Sequence, residues 1–381
     1  MQATRRSYQD YLLQIQAVGA SAGKLPWEAA RSSMRTITDK QKQTLEDLAA
    51  EGLLRGLPVQ TAEKDIHITD LLKALGQLRV SHDHFSDLDA RRGERMRYDS
   101  GIQLVFAGGT CLSKAYGLVN RMSEDVDIKV VLLPTSQPLK KGRGDRVRLA
   151  ALHDAIVTLT GKLNFRLRNS DDDDGNPRIC DRHRYCMLRA GFDSAYEQLP
   201  SLRPELKLEL IQRHPLLPLE KREFGYLYEA LAGMIPRAPL TMDCISVAET
   251  AAEKVLSLLR RCASKWNGAL SRGDNDPALV RHVYDVARIA KLSGESIASA
   301  KSVFPQLVMR DRDEFKGRNP DFDADPGAVL QRTFIAAGSN GDLKDAYKRQ
   351  LLPLVFTSDP PSFEQSFALF ESVARELLSS I

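Results

Sequence analysis

Asp125 and Asp127 stand one residue apart in Arg121-Met122-Ser123-Glu124-Asp125-Val126-Asp127, and the run continues into Ile128-Lys129-Val130-Val131-Leu132. On a β-strand such residues share a face, with Cα atoms about 6.5–7 Å apart. Two carboxylates so placed converge on divalent ions held roughly 3.5–4 Å apart, the arrangement that serves in-line displacement at phosphorus. Ahead of them Val105-Phe106-Ala107 reads as a strand end and Leu112-Ser113-Lys114-Ala115 as a helix start. Between the two lies Gly108-Gly109-Thr110, whose glycines let backbone N–H groups turn toward an anion. A phosphate cradle followed by a metal-binding D-x-D is the skeleton of a nucleotidyl-transferring enzyme. Asp125 and Asp127 would hold Mg²⁺, or Mn²⁺ in its place, and an NTP would be the substrate.

Other residues can complete such a site, each with a plainer role beside it. Glu205-Leu206-Lys207-Leu208-Glu209-Leu210 alternates strictly, so three leucines share one face and Glu205, Lys207 and Glu209 the other. Glu209 is the candidate third carboxylate, with Glu205 as its substitute, although a half-exposed strand shows polar residues in any case. Ser113 would give a hydroxyl to the nucleotide or stabilise the first helical turn. Lys114 would touch phosphate or lie on the helix surface. Arg121 would hold the strand entrance or a phosphate, or be exposed. Glu63-Lys64-Asp65 reads as the opening of a helix, where acids complement the dipole, and as a brace at the edge of the site.

These residues need elements to hold them. Up to about residue 95 the chain reads as helical and connector-rich: Tyr8, Tyr11, Leu12 and Ile15 recur at helical spacing, as do Ile68, Leu71, Leu72 and Leu75. Residues 96 to 215 read as mixed α/β. Strands are expected at Ile102–Phe106, through the D-x-D, at Phe165–Arg168, at Tyr185–Phe192 and at Glu205–Leu210, with a helix near Leu149–Leu163. From 216 to 381 the pattern returns to helices, at Val247–Arg261, Pro277–Leu292 and Phe363–Leu378.

The chain has 381 residues, 43% hydrophobic and 27% charged, ordinary for a soluble protein of two or three domains. A net charge of +4 is compatible with a nucleic-acid partner without establishing one. The basic run Lys140 to Arg148 and the arginines at 166, 168, 182, 184 and 189 are candidates for RNA phosphates, or a solvated surface; Asp171–Asp174 reads as a solvated loop. No apolar run reaches the length of a membrane span, and the first residues lack the apolar stretch of a secretory signal. Five scattered cysteines point to a reducing cytoplasm. Cys180, His183 and Cys186 lack a second ligand pair, which argues against zinc.

Taken in order, Glu63-Lys64-Asp65, Gly108-Gly109-Thr110-x-Leu112-Ser113-Lys114, Arg121-x-Ser123-x-Asp125-x-Asp127, Lys207-Leu208-Glu209, Ala252-Glu253-Lys254 and Tyr284-Asp285 form a recognisable series. It resembles the AbiEii/AbiGii (MenT-like) nucleotidyltransferase toxins of type IV toxin–antitoxin, or abortive-infection, systems, from about residue 60 to 290. The resemblance implies an α+β fold: a polymerase-β-like nucleotidyltransferase core, a mixed sheet with helices, set in helical N- and C-terminal regions. It implies transfer of a nucleoside monophosphate from an NTP to the 3′ end of tRNA, which blocks translation, under restraint by a cognate antitoxin. Ser123 and Asp125 match the family's S-x-D, Lys254 its A-E-K lysine, which would contact phosphate, and Asp285 its helical aspartate. Asp285 would orient Lys254 or act in acceptor activation, with an ion pair to Arg281 or Arg288 as the plain alternative. His282 replaces a frequent Asp, the stretch from Cys262 to Pro277 looks inserted, and the segment before Lys207 is long. These departures leave the acceptor open: a protein or small-molecule hydroxyl, or no transfer at all in a nucleotide- or RNA-binding scaffold, are the alternatives.

Overall fold

In a computed structural model the chain is described over residues 34–84, 96–121, 123, 125–135, 144–168, 178–198, 202–268 and 277–381. The helical pattern at Tyr8–Ile15, the first part of the basic run and the Asp171–Asp174 segment lie outside these residues. Two helices come first, α1 (Asp39–Ala50) and α2 (Val59–Gly76), followed by an antiparallel ribbon of β1 (Ser81–His84) and β2 (Met96–Asp99). Then come β3 (Ile102–Ala107), α3 (Gly108–Lys114), β4 (Asp125–Leu132), α4 (Gly144–Lys162), β5 (Arg166–Arg168), β6 (Arg178–Cys180), β7 (Tyr185–Gly191) and β8 (Glu205–Gln212).

The sheet is mixed and runs β5-β7-β8-β4-β3 before two further strands, with β6 beside β7. β4 lies parallel to β8 and antiparallel to β3. Alternation decides what each face meets. Leu206, Leu208 and Leu210 of β8 and Val126, Ile128 and Val130 of β4 are buried with Ile68, Leu71 and Leu72 of α2 and Leu149, Leu152 and Ile156 of α4. The opposite face carries Asp125, Asp127, Lys207 and Glu209, so burying one row of leucines is what turns the acids together.

The chain past residue 216, which reads as helical, adds two strands to this sheet. β9 (Glu220–Phe224) and β10 (Leu240–Cys244) pair antiparallel, β10 lies beside β3, and the short helix α5 (Leu227–Leu231) joins them. β10 does alternate over Leu240-Thr-Met-Asp-Cys244, a short signal between helical runs, and β9 is an edge strand written Glu-Lys-Arg-Glu-Phe, the charged kind that resists pairing with other chains. The rest is a helical bundle: α6 (Val247–Trp266), α7 (Arg281–Leu292), α8 (Ser296–Glu314), α9 (Pro320–Ala324), α10 (Pro326–Ala337), α11 (Gly341–Ala346) and α12 (Phe363–Leu378). α6 starts where Ser246 Oγ accepts from Glu249 N at 3.2 Å, an N-cap that fixes its first turn. α3 joins the two cores, with Cys111 and Ala115 in the sheet core and Leu112 in the bundle core.

Glu63-Lys64-Asp65 does not open its helix. α2 begins four residues earlier, and the three side chains are buried in its middle. Glu63 Oε1 accepts from Ala195 N at 2.7 Å, Lys64 Nζ donates to Arg203 O at 3.1 Å, and Asp65 Oδ2 accepts from Leu227 N at 2.6 Å. The helix dipole is irrelevant to them; they hold connecting segments onto α2.

Candidate functional site

The turn between β3 and α3 is shaped by what lies against it. Gly108 has φ +73, a left-handed conformation that suits glycine, and a Cβ there would overlap the Asp127 side chain. A Cβ on Gly109 would overlap the Arg121 guanidinium and come 3.4 Å from Ser123 Oγ. Thr110 donates its hydroxyl to the Asp125 carbonyl, tying the start of β4 to α3. The glycines therefore bring Asp127, Arg121 and Ser123 against backbone.

Register brings the acids together. Asp127 is opposite Glu209 and Asp125 opposite Lys207 across the parallel pair β4–β8. Lys207 Nζ lies 3.6 Å from Asp125 Oδ1 and also pairs with Glu209, so one ammonium bridges two carboxylates. Asp127 is pushed up to about 8, by burial first and then by the negative charges of Glu209 and Asp125, with Lys254 and Lys207 opposing. Glu205 is different: it precedes the first β4–β8 pair, Asp125 with Lys207, and pairs with Arg189, so Glu209 is the residue beside Asp127.

A divalent ion fits this donor set. Hard carboxylate oxygens are what Mg²⁺ prefers, and a buried carboxyl kept protonated by two neighbouring acids is relieved by a cation. Among the described residues no three His, Cys, Asp or Glu side chains are already gathered at metal-binding range. Lys207 supplies the positive charge between Asp125 and Glu209, and these two with Asp127 are the side chains that would hold the ion.

Behind the turn sits a buried ion cluster. Arg121 donates from Nε to Asp285 Oδ1 at 2.7 Å and from a terminal nitrogen to Oδ2 at 2.6 Å. Lys254 Nζ lies 2.8 Å from the same Oδ2. Burial would raise the Asp285 carboxyl, but the adjacent Arg121 and Lys254 hold it well below the usual carboxylate range. Asp285 is fully buried and paired with Arg121 and Lys254; Arg288 donates to Leu118 O instead. Asp285 faces inward on α7, toward α6 and the turn, which is why its partners are Lys254 and Arg121.

Lys254 and Asp127 share a cleft of about 290 Å³ with Gly108, Gly109 and His282, between the sheet and α6. His282 is held well below its ordinary value by burial and by the positive charges of Lys254 and Arg261. Its Nδ1 is buried without a hydrogen-bond partner.

Two expected nucleotide contacts lie elsewhere. Lys114 is drawn to Asp65 Oδ1 at 2.5 Å and to Gly225 O at 3.2 Å, so its charge serves a buried pair with α2 rather than the cleft. Ser113 is buried on α3 and does not line the cleft. In the basic run, Arg148 is buried and donates to Ser100 O, Gly101 O and Leu133 O, which removes it from the surface. Arg189 faces Glu205, while Arg166, Arg182 and Arg184 are exposed. Sequence pattern alone assigns no charge role to Lys207 or Lys129; the latter pairs with Glu249 at 3.2 Å and Glu253 at 2.5 Å. The signal for Lys207 was present, since it alternates between Glu205 and Glu209 on their own face.

Comparison with curated proteins finds no match. Among solved structures the chain is similar to MenT4, a nucleotidyltransferase toxin from Mycobacterium tuberculosis H37Rv, at 19% identity and a TM-score of 0.35, covering 87% of this chain and 97% of that one. The family model described as nucleotidyl transferase AbiEii toxin, type IV TA system, matches residues 94–369, and these span β3, the paired acids of β4 and β8, Lys254 and Asp285. The glycine turn, the acids brought together by strand register and the buried Arg121–Asp285–Lys254 cluster thus all fall within that match, and the chain belongs to the AbiEii nucleotidyltransferase toxin family.

Proposed function

We propose that this toxin transfers a nucleoside monophosphate from an NTP to the 3′ end of tRNA in a Mg²⁺-dependent reaction, blocking translation in the cytoplasm until a cognate antitoxin restrains it. The observation that carries the chemistry is the register pairing of Asp127 with Glu209, two residues from Asp125, with Asp127 itself lining the cleft that also holds Lys254. The ion, when bound, supplies charge stabilisation at the α-phosphorus and lowers the cost of forming the attacking oxyanion. Asp125, Asp127 and Glu209 are the ligands in this reading, and Mn²⁺ would satisfy the same oxygens. Asp127 would hold the ion as its carboxylate, and Lys207, which pairs with Asp125 and Glu209, would neutralise part of their charge beside it. Gly108, Gly109, Thr110 and Ser123 shape the turn against which the phosphates lie. Lys254 meets the β- or γ-phosphate as a point charge, and Asp285 keeps its ammonium and the Arg121 guanidinium aimed at that turn. Among the described residues no helix is long and apolar enough to cross a membrane.

Label transfer from α-³²P NTPs to tRNA tests the reading, with total protein and a small-molecule fraction as rival acceptors. Wild type is expected to label tRNA, and Asp125→Ala or Lys254→Ala to abolish both labelling and growth inhibition. Label on protein or small molecules alone would move the acceptor, and full toxicity in either variant would refute the proposal.

A further inference from the structure

Past Asp127 and Lys254 the cleft changes character. Arg260 is six residues beyond Lys254 on α6, about 9 Å along the helix axis. Arg213 is four residues beyond Glu209, about 13 Å along an extended chain. At this far end the lining is Arg213, Arg260, Asp311, Glu314 and Phe315. The Arg260 Cζ sits 3.9 Å from the Phe315 ring centroid, and its Nε donates to Asp311 Oδ2 at 3.0 Å. Arg213 lies 3.4 Å from Asp311 Oδ1 and pairs with Glu314. Asp311 is 6% exposed and engages both arginines, so the wall is set before any ligand arrives.

Here two arginines are matched by two carboxylates beside an aromatic ring, so this end offers a polyphosphate no net positive charge. It suits a nucleobase. A base needs a π-face or guanidinium plane to stack on, donors for its ring acceptors and acceptors for its amino and imino groups. The cleft thus has the two-ended character of a nucleotide, with glycine turn and lysine at one end and a stacking, edge-reading wall at the other.

We propose that the far end of the cleft is the nucleobase subsite, in which Phe315 and Arg260 stack the base, while Arg213 and Glu314 read its edge and so set which NTP is used. This rests on reading the near end as the phosphate site. In consequence the base is chosen by residues at the C-terminal ends of β8 and α8 and by Arg260 of α6, none of which is a carboxylate that would hold metal.

The test is binding and transfer measured for ATP, GTP, CTP and UTP, with inorganic tripolyphosphate as a baseless probe, for wild type, Phe315→Ala, Glu314→Gln and Lys254→Ala. Phe315→Ala is expected to weaken the preferred NTP by roughly 5- to 150-fold, the range that stacking on an aromatic gives, and to leave tripolyphosphate affinity unchanged. Glu314→Gln, at a residue exposed enough to be tolerated, is expected to change the ratio of kcat/KM among the four NTPs by about tenfold, the effect of removing one hydrogen bond to a base edge. Lys254→Ala should weaken NTP and tripolyphosphate together. Unchanged NTP affinity in Phe315→Ala with an unchanged ratio in Glu314→Gln overturns the proposal, as does a wild type that binds no NTP more tightly than tripolyphosphate. Base-dependent binding that disappears in Phe315→Ala, but without transfer to any acceptor, would leave the subsite standing and remove the proposed activity.

Discussion

Asp127 is a proton carrier near neutrality, since burial and the charges of Glu209 and Asp125 push its carboxyl up to about 8. An unfolded Asp titrates near about 3.9, so between that pH and about 8 the folded, metal-free chain holds a proton the unfolded chain has released. Linkage then makes stability fall as pH rises through that window and level off above it. Thermal melts in EDTA are expected to show this decline, and Asp127→Asn, which cannot ionise, to lose it; a decline of equal slope in the variant would remove Asp127 as its cause. Mg²⁺ binding near pH 7 should release about one proton, read by calorimetry in buffers of different ionisation enthalpy. The buried cluster makes a contrasting case. Asp285→Ala leaves Arg121 and Lys254 facing each other without a counter-charge, and should cost about 3–5 kcal/mol in urea unfolding. Lys254→Ala keeps the two-pronged Arg121–Asp285 pair. It should therefore lose transfer with far less loss of stability, and comparable destabilisation in the two variants would argue against this division of roles.

Among the secondary-structure elements, the strands were legible wherever alternation buried a clean apolar row. β4 and β8 are the best cases: periodicity puts Asp125 and Asp127 on one face of β4 and Glu209 on one face of β8, while their meeting depends on the parallel β4–β8 register, which no local pattern shows. β9 carries no apolar row, β10 alternates over only five residues between helical runs, and α2 hid its meaning because Glu63, Lys64 and Asp65 are charged yet buried. Their partners lie 49 to more than 130 residues away, in Lys114, Ala195, Arg203 and Leu227, which no local pattern can show. The same holds for Asp285, whose local candidates are the arginines of its own helix while its partners are Lys254 on α6 and Arg121, 164 residues away. The turn between β3 and α3 permits a sharp comparison of two glycines. Gly108→Ala puts a Cβ into the Asp127 side chain, whereas Gly117, also left-handed at φ +63, faces open space. Both should lose roughly 1–2 kcal/mol for backbone conformation. Gly108→Ala alone should also abolish label transfer, because it displaces a carboxylate of the site. Equal activity in the two variants would mean that the close approach of turn and Asp127 does not matter to the reaction.

Across sheet and bundle together, the cleft is closed by charge as much as by shape. Arg213 at the end of β8 pairs with Asp311 and Glu314 at the end of α8, and Lys129 of β4 with Glu249 and Glu253 of α6, so sheet and bundle are joined by ion pairs along the cleft wall. Arg213 and Lys129 are therefore occupied, and an RNA acceptor of the kind proposed would have to be met by other basic residues. Arg166 on β5 and Arg182 and Arg184 just before β7 are exposed at the end of the sheet that includes β7 and β8, the strands carrying Arg189, Lys207 and Glu209. If a tRNA end reaches Glu209 from that side, its phosphates pass these three side chains. Removing one arginine that neutralises a phosphate should reduce the slope of log affinity against log salt by about one, and leave NTP binding alone because none of the three lines the cleft. The triple substitution of Arg166, Arg182 and Arg184 by Ala is accordingly expected to flatten the salt dependence of tRNA labelling by up to about three units. The KM for NTP should stay as in wild type. An unchanged salt slope would bring the acceptor in over another surface, and a raised KM for NTP would mean that these arginines act on the nucleotide instead.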